Sequence, residues 1–285
     1  MTSGFDGMSL AVFTTVAPAG AVAFICMAIA LIRSVRSDKP AARLDRYLAI
    51  PIAATLVGFI VSATHLGTPA NALHVFSGVG RSPLSNEVVA AVAFLIIAGS
   101  YWMMAFKDGI PRALARVWLV VASVAGVAFL AMTSLAYAVD TVPTWDSPFT
   151  PVNLVLSALF AGPPMALFAA TCAGYRSRAF SLALSAFSAV ALVAGMAALC
   201  AHAASLGAVA NYETSALALV PCYPAAICVH AVLGVLSVAC CFVSARAACS
   251  ARAECVLRVC ACVLALLASF STRITFYLMY MTVGF

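Results

Sequence analysis

Two ionisable residues stand at the ends of a polar stretch that separates two long apolar runs. His65 ends the first run and Glu87 begins the second, and the stretch between them contains several glycine, proline and serine residues. An imidazole can bind and release a proton near neutral pH, and a carboxylate can accept one. Ionisable side chains beside hydrocarbon are costly and usually functional. The pair therefore indicates proton-transfer chemistry at a membrane surface.

Each of these residues also has a purely structural interpretation. His65 precedes a Leu-Gly-Thr-Pro segment that stops a helix, so its ring could simply cap the last carbonyls. Glu87 follows Ser85 and Asn86, both good N-cap residues, and its charge could simply complement the helix dipole. However, a single hairpin returns both helix ends to the same membrane depth. We therefore expect a shared pocket that can take a proton from a ligand such as a quinol.

A third ionisable candidate is Arg273, which lies inside the last apolar run. An arginine within the membrane usually pairs with a carboxylate or a ligand in the bundle interior. Asp140, Asp146 and Glu87 are the candidate carboxylates on the same side. The alternative is an arginine that extends its guanidinium to the lipid headgroups.

The segment 139–151 holds three prolines and is predicted to be a stiff, non-helical loop. Its Trp145 and Phe149 suit the aromatic belt of a membrane interface. They could instead flank a ring-shaped ligand or a docked protein.

The composition places these residues in a membrane protein. Of 285 residues, 65% are hydrophobic and only 8% are charged, which is typical of a polytopic membrane protein and leaves no segment for a soluble or nucleic-acid-binding domain. The 11 cysteines form no CxxC motif, so we expect neither a zinc site nor an iron–sulfur cluster in this chain. Cys222 and Cys228 lie close enough in sequence to pair.

Apolar runs long enough to cross a bilayer recur eight times. The predicted spans are 9–33, 47–66, 87–106, 114–138, 152–174, 181–206, 225–245 and 257–281. The sequence therefore predicts an all-α membrane protein, in which residues 1–285 form a single bundle of eight transmembrane helices.

The orientation of the bundle follows from its basic residues, which remain on the cytoplasmic side of a membrane. The loops after the first, third, fifth and seventh spans hold 13 of the 15 Lys and Arg residues, so both termini are expected outside. His65, His74 and His202 then lie at outer helix ends or loops, and His230 lies in the outer half of its span. On the inner side we expect basic loops only.

Several segments resemble the membrane anchor subunit of the dimethyl sulfoxide reductase family of molybdopterin oxidoreductases. The similar segments run from the second span to the C-terminus and are His65-Leu66-Gly67-Thr68-Pro69, Leu84-Ser85-Asn86-Glu87, Asp140-Thr141-Val142-Pro143-Thr144-Trp145 with Thr150-Pro151, Gly162-Pro163-Pro164, and Arg273 with Phe276-Tyr277 and Met281-Thr282-Val283-Gly284.

The resemblance implies a subunit of the bacterial cytoplasmic membrane that oxidises menaquinol in anaerobic respiration and holds no haem or metal itself. Electrons would pass to a ferredoxin-like four-cluster iron–sulfur subunit and then to a molybdopterin catalytic subunit. The resemblance associates His65 and Glu87 with quinol binding. To these we add Arg273, Trp145, Asp140 and Tyr277 as candidate quinol-binding residues, and because the candidates lie on the outer side we expect both partner subunits on the outer face.

Two other functions remain open at this stage. A haem-b quinol dehydrogenase subunit needs two histidines on facing helices at one depth, which His202 with His65 or His230 could supply. A small-anion transporter could use Arg273, although transporters place their sites near the midplane and often contain inverted repeats.

Overall fold

The computed structural model describes residues 4–33, 39–64, 69–106, 111–210, 214–246 and 250–281. Apart from one isolated bridge between Ala210 and Ser215, regular structure in these segments is helical. The helices are α1 (Gly4–Arg33), α2 (Lys39–Tyr47), α3 (Ala49–Ala63), a 3₁₀ helix (Pro69–Gly78), α4 (Pro83–Met104), α5 (Arg112–Ala136), α6 (Phe149–Cys172), α7 (Arg178–Leu206), α8 (Ala216–Leu219), α9 (Tyr223–Ser244) and α10 (Ala251–Leu278).

Within the described residues, eight helical segments are long and apolar enough to cross a membrane, and α2 and α3 together supply the second of them. The prediction of an all-α membrane bundle with eight spans is confirmed. Serine N-caps begin several helices where the sequence turns polar: the side chain of Ser82 accepts from the backbone of α4, and Ser177 and Ser250 do the same for α7 and α10.

Two helix boundaries differ from the sequence prediction, and both differences matter for the site. The N-cap of α4 is Ser82 followed by Pro83, so Glu87 lies in the second helical turn and not in the first. The loop expected to run to Pro151 ends at Pro148, because α6 begins at Phe149. Proline is tolerated in the first turn of a helix, where its missing N–H has no intrahelical partner.

Helices α1 and α6 form the centre of the bundle. Of the membrane-crossing window of each, 78% and 72% is buried, against 22–39% in the other six spans. Glycines allow α6 and α3 to approach α1 closely. A Cβ added to Gly162 of α6 would lie 2.5 Å from Cγ1 of Val22 in α1, and one added to Gly58 of α3 would lie 2.9 Å from Cβ of Ala17 in α1.

The connections divide the bundle into two unlike ends. Segments 64–82, 137–148 and 207–222 connect spans at one end, which we call the long-loop end. Segments 34–38, 105–111, 173–177 and 245–250 connect spans at the other, the short-loop end.

An ion-pair network stabilises the short-loop end. Arg258 is buried in α10, 2.9 Å from the carboxylate of Glu254, and donates to Oγ1 of Thr171 at 2.8 Å and Oγ of Ser181 at 2.7 Å. Glu254 also pairs with Arg176 at 3.3 Å. The expectation of basic loops only at this end was wrong for the described residues, because Glu254 and Arg258 form a buried ion pair in the first turns of α10, in contact with α6 and α7.

The close packing of α1 and α6 generates a first prediction. Gly162→Val should lower the melting temperature of the detergent-purified protein, because overpacking a tight contact costs about 1–3 kcal/mol. Gly99→Val is the matched control, since a Cβ there meets no atom within 4 Å. Equal melting temperatures for the two variants would show that the α1–α6 contact can relax at little cost.

Candidate functional site

Unpaired polar atoms concentrate in one half of the bundle. Among the described residues, seven buried side-chain oxygens and nitrogens have no hydrogen-bond partner, and all lie in the half of their span nearer the long-loop end. They belong to Thr15, Glu87, Thr133, Asn153, His202, Ser269 and Arg273. Buried polar groups are normally paired, so a cluster of exceptions needs an explanation such as a ligand, an ion or water. The long-loop half is therefore the candidate site.

Glu87 occupies the first part of this site. It is only 1% exposed although it lies in the second turn of α4. Its side chain faces that of Thr133 near the end of α5, yet neither Oε1 of Glu87 nor Oγ1 of Thr133 makes a hydrogen bond of normal geometry. Glu87 is thus a buried carboxyl group with unused hydrogen-bonding capacity.

Two tyrosines form the aromatic part of the site. The rings of Tyr137 and Tyr277 meet edge to face with centroids 5.7 Å apart, and Tyr277 donates to Oγ1 of Thr14 at 3.3 Å. Both are within electrostatic range of Glu87 and of Arg273. Burial raises the pKa of Tyr137, which follows the last residue of α5, so this phenol keeps its proton at neutral pH.

Arg273 forms the second part of the site. It is 4% exposed, and its Nε has no partner. The ion pairs found in the described segments involve Arg176, Arg258 and Glu254, so among these residues Arg273 has no carboxylate partner, and of the two expected partners the ligand remains. Its burial also excludes the alternative in which the guanidinium extends to the headgroups. Asp140 and Asp146, two of the proposed partners, are exposed.

A small cavity adjoins Arg273 between α6, α7, α9 and α10. Its volume is about 20 Å³, and its polar lining consists of Thr150, Asn153, Ser157, His202, Tyr223, His230, Thr272 and Arg273. We call it the Arg273 cavity. Three of the seven atoms without partners belong to its lining residues Asn153, His202 and Arg273.

The two histidines of this cavity have different surroundings. Nδ1 of His202 lies 3.3 Å from the Tyr223 hydroxyl, and Phe149 stacks on its ring with centroids 5.8 Å apart. Nδ1 of His230 lies 2.8 Å from the carbonyl oxygen of Ala268, so that nitrogen donates. Sequence reasoning placed both residues in the outer half but could not assign them, because nothing in the linear sequence shows that α7 and α9 meet α10 beside Arg273.

Trp145 connects the 137–148 loop to the end of α10. Its ring stacks on Phe276 with centroids 4.9 Å apart, and its Nε1 donates to the Phe276 carbonyl oxygen at 3.0 Å. The neighbouring Thr144 donates its hydroxyl to the carbonyl of Met279. Trp145 therefore covers the aromatic cluster that contains Tyr137 and Tyr277, while Phe149 covers His202 on the next helix.

The other sequence candidates are less well placed. His65 lies outside the described residues, and the helix before it ends at Ala63. Asp140 is exposed on the 137–148 loop. Cys222 and Cys228 are both free thiols. The structure thus brings together Glu87, Arg273, Tyr277 and Trp145 of the predicted set, and adds Thr133, Tyr137, Asn153, His202 and Tyr223 to them.

Comparison with known proteins gives one consistent result. Residues 1–279 match the model of the family described as DMSO reductase anchor subunit (DmsC). The protein belongs to this family. It is 34% identical to the C subunit of the anaerobic dimethyl sulfoxide reductase of Escherichia coli K12 over 229 residues, which are 79% of this protein and 78% of the relative.

Two further relatives are similar over shorter stretches. YnfH, another anaerobic dimethyl sulfoxide reductase subunit of E. coli K12, is 34% identical over 59% of this protein and 58% of its own length. The C subunit of the Haemophilus influenzae anaerobic dimethyl sulfoxide reductase is 28% identical over 57% of this protein and 58% of its own length. Together with the eight apolar helices, family membership identifies a multi-pass membrane anchor of a DMSO reductase-type complex.

The contacts of Trp145 generate a second prediction. Trp145→Leu should increase amide hydrogen exchange in residues 138–147, because the loop loses both the stacked ring and the N–H donor that hold it on α10. Trp102→Leu is the control, since Trp102 donates to the Arg46 carbonyl at 2.8 Å at the opposite end. Unchanged exchange in the loop of the Trp145 variant would mean that Thr144 alone secures it.

Proposed function

We propose that this anchor oxidises a quinol of the menaquinol class at its long-loop end. The electrons pass to a ferredoxin-like iron–sulfur subunit and from there to a molybdopterin catalytic subunit. The observation that carries the proposal is the concentration of unpaired buried polar atoms in the long-loop half, between Glu87 and Arg273. The names of the relatives support the complex, since each is part of an anaerobic dimethyl sulfoxide reductase.

The chemistry of a quinol suits these groups. Oxidation removes two electrons and two protons, and each hydroxyl needs a proton acceptor within hydrogen-bond reach. Glu87 can accept a proton when its carboxyl group is ionised, and His65, which lies in the same connecting segment of the sequence, can accept one as well. Arg273 can only donate, so its role is to hold a quinol oxygen and stabilise the charge that develops there. Tyr137 and Tyr277 lie within electrostatic range of both groups.

The third prediction tests Glu87 and His65 as proton acceptors. Glu87→Gln and His65→Gln should each reduce quinol-driven turnover of the assembled complex at least about tenfold, because a general base typically contributes 10²- to 10⁴-fold. Turnover with an artificial donor that bypasses the membrane subunit should be unchanged. The comparison uses membranes that contain equal amounts of complex.

Asp146→Asn is the control for these two variants, because Asp146 is an exposed carboxylate on the same end of the bundle. Its quinol-driven turnover should stay within about twofold of wild type. Wild-type turnover in both Glu87→Gln and His65→Gln would overturn the proposed site.

The proposal also has a topological consequence. Because basic residues favour the cytoplasmic side, we propose that the short-loop end faces the cytoplasm and the quinol site faces outward. We propose that the iron–sulfur subunit docks over the long-loop end, on the 3₁₀ helix Pro69–Gly78 and the 137–148 loop, where the path for the electrons is shortest. Protons are then released on the same side as the electrons.

The fourth prediction follows from this arrangement. Protease added to intact spheroplasts should digest the partner subunits, and a potential-sensitive dye should report no membrane potential during quinol oxidation in proteoliposomes. Because electrons and protons leave on one side, no charge crosses the bilayer. Partner subunits that resist protease until the cells are lysed would reverse the proposed topology.

A further inference from the structure

The second quinol proton needs an acceptor on the Arg273 side, and this inference rests on the proposed function. A quinol that transfers two electrons to the iron–sulfur subunit becomes a quinone and releases one proton from each hydroxyl. The hydroxyl near Glu87 has that carboxylate as its acceptor. The hydroxyl held by Arg273 has no acceptor in Arg273 itself, because a guanidinium only donates.

The Arg273 cavity has the size and the chemistry to hold one water molecule. Its volume of about 20 Å³ exceeds the roughly 10–15 Å³ that a buried water needs. Buried waters typically make about three hydrogen bonds. Here three atoms without protein partners belong to residues that line the cavity: Nε of Arg273, Oδ1 of Asn153 and Nε2 of His202.

These partners also determine which hydrogen bonds the water accepts and which it donates. Nε–H of Arg273 donates to the water, and the water donates to Oδ1 of Asn153 and Nε2 of His202. All three hydrogen bonds have one donor and one acceptor. We propose that this water is an integral part of the site and transfers the second quinol proton to Nε2 of His202.

The surroundings of His202 favour this role. With its proton on Nδ1, the ring donates to the Tyr223 hydroxyl 3.3 Å away and keeps the Nε2 lone pair available. Phe149 stacks on the ring and fixes its plane. The Thr144 backbone lies nearby, but Nε2 has no hydrogen bond of normal geometry to it.

Electrostatic repulsion then favours release of the proton from His202. An imidazolium at His202 lies within electrostatic range of Arg273, so the two positive charges repel. Nδ1 can pass its proton to the hydroxyl of Tyr223, the first residue of α9, as that hydroxyl releases its own, which leaves His202 neutral with its proton on Nε2. The route is quinol hydroxyl, water, His202 and Tyr223, and one proton must exchange from Nε2 back to Nδ1 before the next turnover.

His230 lines the same cavity but is a poorer acceptor for this purpose. It lies seven residues further along α9 than Tyr223, about 10 Å deeper in the bundle. Its Nδ1 proton is committed to the Ala268 carbonyl at 2.8 Å. The Ala268 carbonyl bonded to His230 cannot relay a proton, whereas the Tyr223 hydroxyl beside His202 can.

The fifth prediction compares these two histidines in the assembled complex. His202→Gln should lower kcat for quinol-driven turnover at least about tenfold with KM changed less than about twofold, because the step lost is proton transfer and not binding. His230→Gln, a matched change in the same cavity, should stay within about threefold of wild type. Tyr223→Phe should also lower kcat and increase the solvent deuterium isotope effect, since it interrupts the route after His202.

A structural measurement keeps the inference testable if a variant fails to assemble. A density map of the wild-type complex at a resolution that shows water should contain one peak among Arg273, Asn153 and His202, and Asn153→Leu should remove it and reduce kcat. Equal losses in both histidine variants, wild-type kcat in His202→Gln, or no peak in the wild-type map would each overturn the inference. If Glu87→Gln is slow while His202→Gln is normal, only this inference fails, whereas a wild-type complex without quinol activity removes the proposed function itself.

Discussion

A buried guanidinium that has no counter-charge among the described residues is the constraint on which the rest of this site depends. Burying an ion inside a protein costs several kcal/mol unless pairing and hydrogen bonds compensate it. Helix α10 contains both outcomes: Arg258 is buried with Glu254, Thr171 and Ser181 around it, and Arg273, about 22 Å further along the helix, is buried with no ion pair among the described residues. The paired arginine stabilises the packing of α6, α7 and α10. The unpaired one retains its capacity to bind a ligand.

The two ends of the bundle can differ in this way because its centre is rigid. Helix α1 packs against α3 and α6 through contacts with no room for larger side chains, at Gly58 and Gly162. It also presents Thr14 to Tyr277 of α10. A buried polar atom without a partner costs about 1–3 kcal/mol, and such atoms are confined here to one half of the described bundle. The packing of α1 and the Arg258 network keep these polar groups in position, although a rearrangement that paired them would lower the free energy of the fold.

The parts of this structure that were predictable from the sequence are those that depend on local properties. Hydropathy alone located eight spans to within six residues, and the cost of charge in lipid singled out Glu87 and Arg273. The Arg273 cavity depends on lateral packing between α6, α7, α9 and α10, which leaves no periodic signal. The sequence therefore did not single out Asn153 and Tyr223, and it offered His202 only as an outer histidine and possible haem ligand. The buried Arg258–Glu254 pair was missed for a related reason: counting basic residues locates a side of the membrane but does not show which of them pack inside the bundle.

The same distinction bears on the surroundings of Arg273. The sequence left either a carboxylate or a ligand as its partner, and the ion pairs found among the described residues do not include it. Tyr137 and Tyr277 lie within electrostatic range of both Glu87 and Arg273, and a phenol can donate or accept a hydrogen bond. A direct ion pair would engage the Glu87 carboxyl group and occupy the donors of the guanidinium. Without one, a group that can accept a proton and a group that can donate hydrogen bonds both keep their capacity, which is what a molecule with two ionisable oxygens requires.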